Sequence, residues 1–455
     1  MSRPQVASRR MTLSLPAALA PFRWTIGATS GLFAATLLTS ATGFVFWWIA
    51  AQGYSESAIG LAGAAVSAML FLSQVAMLGY GTALAGILHR EERPASLAVT
   101  ATLAAGIAGL ILGVGFAVLA PLLSSELQPL AAPLAIVIFA LGVCVAALTS
   151  VLDQVLVAVN QRLMQLIRNV IFGVGRLPVL LAIAAVVLWP DGMGIYVAWV
   201  VGLMLSLAVI VVLVHNAQLT GDIRPLMWGR LRAMAPDALA HHVVNLSRSG
   251  SVWLLPLLVT IVLSSEENAA FYIAFLVSNL ILLLGKEATF TLYIVGARAP
   301  ETLWRQIRFT LGFCALASVL GTIVLSVLGP RVLGVFGSSY ETAYPVLLIL
   351  SISALPVLVK DHWIAVHRVR GSVSKAAVVG VITLAMELAG AVVGALWGEQ
   401  LGFALLGFAI GRLVALLVQA AFMLPMLISV MRPPAGGTPV TPSATDADPT
   451  EAVFA

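Results

Sequence analysis

Charge is what this chain has least of. Asp, Glu, Lys and Arg make up 9% of its 455 residues, against about 25% in a soluble domain, while 60% are hydrophobic and the mean hydropathy is +1.04. A soluble globular fold is excluded on that ground. Cysteine is nearly missing too: Cys144 and Cys314 are the only two, both inside apolar runs, so no disulfide framework is implied. The six His show no metal-ligand spacing, and His241-His242 are chain neighbours whose rings would point about 100° apart on one helix. No HExxH, no paired CxxC and no phosphate-cradling Gly-rich loop occurs. The expectation is a protein that is not an enzyme and carries no cofactor and no metal. With 24 basic and 19 acidic residues the formal net charge is +5, which reads as a topology signal and not as a nucleic-acid footprint.

What is abundant is long apolar runs. About 20 such residues cross a hydrocarbon core roughly 30 Å thick, and the sequence predicts twelve spans: 26–50, 57–88, 96–121, 131–159, 164–188, 194–214, 238–262, 269–296, 307–329, 341–366, 373–396 and 400–430. They are continuously apolar and rich in Ala and Leu, which rules out the alternating strands of a membrane barrel.

The second six spans echo the first. Leu78-Gly79 returns as Leu284-Gly285 at a shift of 206, Leu188-Trp189 with Gly194 as Leu396-Trp397 with Gly402 at 208, and Pro121 as Pro330 at 209. Six spans per unit is even, so both units thread the membrane in the same direction. The fold class expected is therefore all-α integral membrane, twelve transmembrane helices in two six-helix lobes related by a pseudo-two-fold axis along the membrane normal.

Basic residues set the orientation. The N-tail (Arg3, Arg9, Arg10, Arg23) and the even-numbered connections (Arg90, Arg93; Arg162, Arg168; Arg224, Arg230, Arg232; Arg298, Arg305, Arg308; Arg368, Arg370, Lys375) hold nearly all the loop charge. The odd-numbered connections hold Arg331 among acids such as Glu56, Asp191, Glu266, Glu267, Glu341 and Glu399. The positive-inside rule then puts both termini in the cytoplasm of a multi-pass protein of the cytoplasmic membrane. The expected organisation is a cytoplasmic N-tail (1–25), an N-lobe (26–214), an inter-lobe linker (215–237) lying along the inner surface, a C-lobe (238–430) and a disordered cytoplasmic tail (431–455). Residues 1–23 do not read as a signal peptide, because the following apolar run is about 25 residues, longer than the 7 to 15 of an h-region.

Ionisable groups inside spans are expensive, at about 2.5 to 3.5 kcal/mol each on insertion scales, and face a cavity or one another. The cations are Arg176, Arg248, Lys286, Lys360 and Arg412; the carboxylates are Asp153, Glu287, Asp361 and Glu387. Helical spacing groups the cations with polar neighbours: Gln165, Asn169 and Arg176 on span five; His241, Asn245 and Arg248 on span seven; Tyr272, Asn279, Lys286 and Tyr293 on span eight; Arg412 and Gln419 on span twelve. Four polar stripes suggest a shared wet cavity. Arg176, Arg248, Lys286, Arg412, Asn245 and Asn279 are the substrate-binding candidates, and Asp153, Lys360, Asp361, Glu287 and Glu387 the gate or ion-coupling candidates. Asp153 and Lys360, at matching depths in opposite lobes, are expected to pair across the lobes in the outward-open state; structural pairing, such as Arg412 with Glu387, stays open. Gly380, Gly390, Gly394, Gly402 and Gly411 fit close helix contacts, and Pro178 and Pro356 fit kinks.

The stretch from Tyr54 to Leu84, with Ile59-Gly60 entering a span that ends Met77-Leu78-Gly79-Tyr80-Gly81-Thr82-Ala83-Leu84, resembles the opening of polysaccharide and oligosaccharide-lipid flippases. Phe336-Gly337-Ser338-Ser339-Tyr340, the run from Ala343 to Val366, and Arg370-Gly371 are similar to that family's tenth-span region. The resemblance is to the multidrug/oligosaccharidyl-lipid/polysaccharide exporter superfamily, and it implies alternating access of two lobes around a central cavity. Its flippase branch implies a lipid-linked oligosaccharide or polysaccharide precursor as substrate, membrane lipids around it, and a glycan polymerase or glycosyltransferases as pathway partners. Mid-depth cations suit a diphosphate headgroup. The alternative is a multidrug or small-metabolite cation antiporter of the same superfamily, which the lack of Asp or Glu in 26–50 and 238–262 disfavours. A non-transporting scaffold or a membrane-embedded enzyme is a second alternative.

Overall fold

A computed structural model describes residues 39–186, 191–216, 225–298 and 300–432. The N-tail, part of the linker and nearly all of the C-terminal tail lie outside them. The described chain is helical almost throughout: α1 (39–53), α2 (Glu56–Ala76), α3 (Tyr80–Ile87), α4 (Pro94–Leu123), α5 (Pro133–Ala158), α6 (Arg162–Ala185), α7 (Met193–Asn216), α8 (Trp228–Val262), α9 (Ser265–Arg298), α10 (Leu303–Gly334), α11 (Tyr344–Ile352), α12 (Ala354–Val369), α13 (Val373–Glu399) and α14 (Ala404–Val430). Eleven spans among the described residues are long and apolar enough to cross a membrane, and α1 supplies the twelfth expected position. The chain is a multi-pass membrane protein of two six-helix lobes, α1 to α7 and α8 to α14.

Local chemistry explains the boundaries. Ser55 caps α2 by accepting from the Ala58 amide, with Glu56 in the first turn favoured by the helix dipole. Pro94 and Pro133 open α4 and α5 where no amide donor is needed. Two expected spans are broken. Span two is interrupted at Met77 to Gly79, where Leu78 and Gly79 take φ of 50° and 76°. Span ten is interrupted at Ser353, three residues before Pro356, which cannot donate to the carbonyl of Ile352. Pro178 sits inside a continuous α6.

The linker differs from expectation. Residues 228–237 are the first turns of α8, not a separate surface piece, and Leu231, Met234 and Ala238 pack into a core with Leu84, Leu88, Leu97 and Val151 of the N-lobe. Ser96 donates to the Pro225 carbonyl and the Met227 amide donates to Thr100, so this start of α8 is fastened to α4. One helix therefore roots in one lobe and runs into the other.

The two sides of the protein are held differently. On the side of the odd-numbered connections, here the acidic side, the lobes meet directly: Trp48 Nε1 donates to the Val335 carbonyl (3.1 Å), Asn268 Nδ2 to the Gly60 carbonyl (2.7 Å), and the Ser265 amide to Glu126 Oε2 (3.0 Å). Gly60 permits the α2 to α9 approach, since a Cβ there would lie 1.6 Å from the Ser265 carbonyl oxygen. On the opposite, basic side, Asn245 Nδ2 of α8 reaches Thr82 Oγ1 of α3 at 3.2 Å.

Close glycine packing appears where expected on α13 and α14. A Cβ on Gly394 would lie 2.2 Å from the Gly407 carbonyl, and one on Gly411 2.1 Å from that of Gly390. Gly380 instead meets Ser247 of α8, and a Cβ on Gly402 would meet nothing within 4 Å beyond its chain neighbours; its φ of 78° makes it a turn residue, not a packing one.

Candidate functional site

The expected intramembrane charges assemble mainly in the C-lobe. Lys360 and Asp361 are consecutive on α12, so they leave the helix about 100° apart and serve different partners. Lys360 Nζ lies 3.0 Å from Glu387 Oε2 on α13, and Arg412 Nε of α14 lies 2.8 Å from the other oxygen, Glu387 Oε1. Glu387 is fully buried and shared by two cations. On the other flank Asp361 Oδ1 faces Arg248 Nε of α8 at 3.4 Å, and Arg248 Nη2 donates to Thr289 Oγ1 of α9 at 2.8 Å. The network joins α8, α9, α12, α13 and α14 below the break at Ser353.

Lys286 enters this group differently. Asp361, Arg248, Glu287 and Arg412 surround it electrostatically, yet among the described residues no hydrogen-bond or ion-pair partner is found for its ammonium. Arg248 is also loosely held, with an 18% exposed side chain against 4% for Arg412. The four candidate cations therefore separate by geometry. Arg412 is locked to Glu387, while Arg248 and Lys286 retain capacity for another anionic group.

Asp153 belongs to a separate unit. Arg168 grips it bidentately, with Nε to Oδ1 at 2.6 Å and a second, shorter contact from Nη2 to Oδ2. Arg168 also donates to Ser206 and Asn169. In this conformation Asp153 and Lys360 do not meet: each has a nearer partner of opposite charge on a neighbouring helix of its own lobe. Arg168, taken from sequence as a loop charge, is a buried member of α6. Asp153 lies five residues before the end of α5 and Arg168 six residues after the start of α6, and that matched spacing about the short connection was the available signal.

The polar stripes do not form one continuous wet face. Asn169 is bound to Arg168. Asn245 links Thr82 to Arg368, whose Nη2 lies 3.1 Å away. Gln419 donates to the Thr383 carbonyl, and Asn279 keeps a buried Oδ1 with no partner. The side chains of His241 and Tyr293 lie outside the described ones. Arg176 is enclosed by aromatic rings, its Cζ 4.1 Å from the Trp199 centroid, 4.5 Å from Phe172 and 4.6 Å from Phe46. This cage went unread in the sequence, since its rings come from α1, α6 and α7 with no common spacing. No group of three or more His, Cys, Asp and Glu that could hold a metal occurs among the described residues.

No family model and no curated protein matches the chain. Solved structures do. A multidrug resistance MATE family transporter of the MOP superfamily in an inward-facing conformation superposes with a TM-score of 0.64 at 16% identity, over 87% of this chain and 96% of that one. The outward-facing conformation of a multidrug resistance MATE family transporter gives 0.59 at 16% identity, over 90% and 96%. A MATE crystal structure in complex with MaD3S gives 0.58 at 15% identity, over 90% and 97%. Nearly whole-length agreement at such low identity establishes architecture, and it is the architecture the superfamily resemblance implied: this chain shares the fold of MATE-type transporters.

Proposed function

We propose that the chain is an alternating-access membrane transporter whose lobes rock to open a path to one side and then to the other. The support is a fold met in solved neighbours of both inward-facing and outward-facing conformation. The leading reading is a multidrug or small-metabolite exporter, in keeping with the multidrug resistance neighbours. Within it, cationic cargo is disfavoured: Asp153, Asp361 and Glu387 are already engaged by cations, whereas Arg248 and Lys286 have binding capacity left. That surplus of cations is the observation that carries the substrate class. The cargo has an anionic group, held between α8 and α9 by Arg248 and Lys286 while Asp361 occupies Arg248 in its absence.

A second reading, flipping of a lipid-linked oligosaccharide or polysaccharide precursor, rests on the same surplus, because desolvated phosphate pairs strongly with guanidinium. Proteoliposome transport of three probes separates the readings: an anionic dye, a cationic dye and a labelled lipid-linked glycan. We expect Arg248→Ala and Lys286→Met each to lower anion transport about ten-fold, equivalent to roughly 1.4 kcal/mol. Movement of the glycan lipid alone would favour the flippase. Transport of the cationic dye alone, unchanged in both variants, would overturn the anionic assignment.

A further inference from the structure

We infer that the cleft between the connection from α3 to α4 and the start of α8 binds the phosphate headgroup of an anionic phospholipid, and that the bound lipid fastens the root of α8 to the N-lobe. The cleft has a volume of about 470 Å³, room for a headgroup and not only for a single ion. Its charged lining is Arg90, Arg93 and Arg230 against Glu91 and Glu92. Arg230 and Glu91 are paired with each other, which leaves Arg90 and Arg93 against Glu92 and a surplus of one positive charge. One phosphodiester, which carries a single negative charge, balances it. Arg90, Arg93 and Arg230 are exposed, so an entering headgroup reaches the guanidiniums without opening the protein.

Depth in the bilayer selects a lipid over a free anion. Ser96 donates to the Pro225 carbonyl at 2.8 Å and the Met227 amide to Thr100 Oγ1 at 2.9 Å, which sets the start of α8 level with the first two turns of α4. The exposed apolar face of α4 begins at Leu103 and continues through Ile107, Leu110 and Ile111. Leu103 is three residues past Thr100, about 4.5 Å along a helix, so the cleft opens at the level of the headgroups beside the hydrocarbon boundary. Leu226 and Trp228, chain neighbours of the lining residues Pro225 and Met227, are 40% and 47% exposed. Apolar and indole side chains left outside the fold at that depth belong to the membrane interface, where they lie against the glycerol and upper acyl chain of a lipid whose phosphate fills the cleft.

A headgroup seated there meets both sides of the α8 docking at once, Arg90 and Arg93 from the N-lobe connection and Arg230 from α8. The apolar anchor residues Leu231 and Met234 lie on the same first turns of α8. The lipid therefore adds a polar clamp to an apolar one, in the leaflet on the basic side, because Arg beside a membrane surface is drawn to anionic headgroups. The inference does not rest on the transport reading, since its readouts are stability and bound lipid and not flux.

The test uses the purified full-length protein in a neutral detergent, titrated with phosphatidylglycerol, with phosphatidylcholine or with inorganic phosphate, and read by thermal unfolding and by native mass spectrometry. A ligand bound only by the folded state raises the unfolding midpoint in a saturable way. We expect that rise with phosphatidylglycerol and not with the other two. Arg90→Gln combined with Arg93→Gln keeps two exposed positions polar, so the double variant should fold as the parent does. Its titration should shift to about ten-fold higher phosphatidylglycerol, with one lipid fewer retained by mass. Trp228→Ala should shift it in the same direction by a smaller factor. Should the double variant fail to fold, Arg93→Gln alone decides. Arg331→Gln, which removes an exposed charge on the acidic side, should titrate as the parent protein. Equal responses to phosphatidylglycerol and phosphatidylcholine, an unshifted double variant, or an Arg331→Gln shift as large as that of the double variant would overturn the site. A midpoint raised by inorganic phosphate alone would reassign the cleft to a free anion and overturn the lipid.

Discussion

The two lobes repeat one another in topology and part company in chemistry. The N-lobe breaks its second span at Leu78-Gly79, while the corresponding Leu284-Gly285 of the C-lobe lies in unbroken α9. The C-lobe breaks its fourth span at Ser353, while α5 of the N-lobe runs straight through. Charge follows the same division. The N-lobe has one carboxylate clamped by Arg168 and a caged Arg176; the C-lobe has Arg248, Lys286, Lys360 and Arg412 around Asp361, Glu287 and Glu387. A repeated scaffold fixes where helices cross, but it places no constraint on which lobe holds the polar network. Ligand recognition in this protein is expected to be lopsided.

The largest effect should come from Glu387. Converting it to Gln leaves Lys360 and Arg412, both nearly fully buried, without their shared negative charge. Breaking a buried ion pair this way typically costs about 3 to 5 kcal/mol. The N-lobe counterpart, Asp153→Asn, should cost roughly 1 to 2 kcal/mol, because the carboxylate is 17% exposed and Arg168 keeps Asn169 and Ser206 as acceptors. Thermal or denaturant unfolding of the two variants in one detergent measures the difference. Equal losses would mean that the C-lobe network is no more tightly buried than the N-lobe pair.

How far the sequence could be read divides along a physical line. Spans were legible because hydrophobic length is a local property: α7 at Met193–Asn216 and α13 at Val373–Glu399 fall within a few residues of the expected 194–214 and 373–396. The glycine contacts of Gly390, Gly394 and Gly411 were legible by helical spacing, and Arg412 with Glu387 stood among the expected alternatives. Partner choice was not legible. Lys360 and Asp361 point apart although adjacent, and which helix each meets depends on packing between segments far apart in the chain. The aromatic cage of Arg176 and the docking of residues 228–237 on the N-lobe were hidden for the same reason. Span continuity was half legible: Pro356 marked one break, whereas Leu78-Gly79 and Leu284-Gly285 look alike in sequence and differ in backbone.

That last pair offers an intermediate test. Gly79 has φ of 76°, and a Cβ there would lie 2.3 Å from the Ala238 carbonyl oxygen of α8. A left-handed conformation alone costs an L-residue roughly 1 to 2 kcal/mol, and the carbonyl is backbone that cannot step aside. Gly79→Ala should therefore destabilise by about 2 kcal/mol or more and disturb the seating of α8 on α3. Gly285→Ala meets Leu358 Cδ2 at 2.3 Å, the far end of a flexible side chain, and gains about 1 kcal/mol of helix propensity. Its net effect should stay within about 1 kcal/mol. If the two substitutions destabilise alike, the backbone at Gly79 and at Gly285 is the same in both lobes.

The smallest effect expected is at the linker, where α8 is tied to the N-lobe by Arg230 and Glu91. This ion pair sits at the rim of a cleft of about 470 Å³ lined by Arg90, Glu91, Glu92, Arg93, Pro225, Met227 and Arg230. Arg230 is exposed, so water and salt screen the pair, and the long side chain loses freedom in holding it. The seating of α8 is instead carried by Leu231, Met234 and Ala238 in the N-lobe core and by the Pro225 and Met227 backbone bonds. Arg230→Ala should leave the unfolding midpoint unchanged at 0.15 M salt, where the Debye length is about 8 Å. Met234→Ala removes buried apolar volume from the same helix and should lower the midpoint measurably. The reverse ranking would move the anchor of α8 from its buried face to its surface charge, and with it the basis for counting residues 228–237 with the N-lobe.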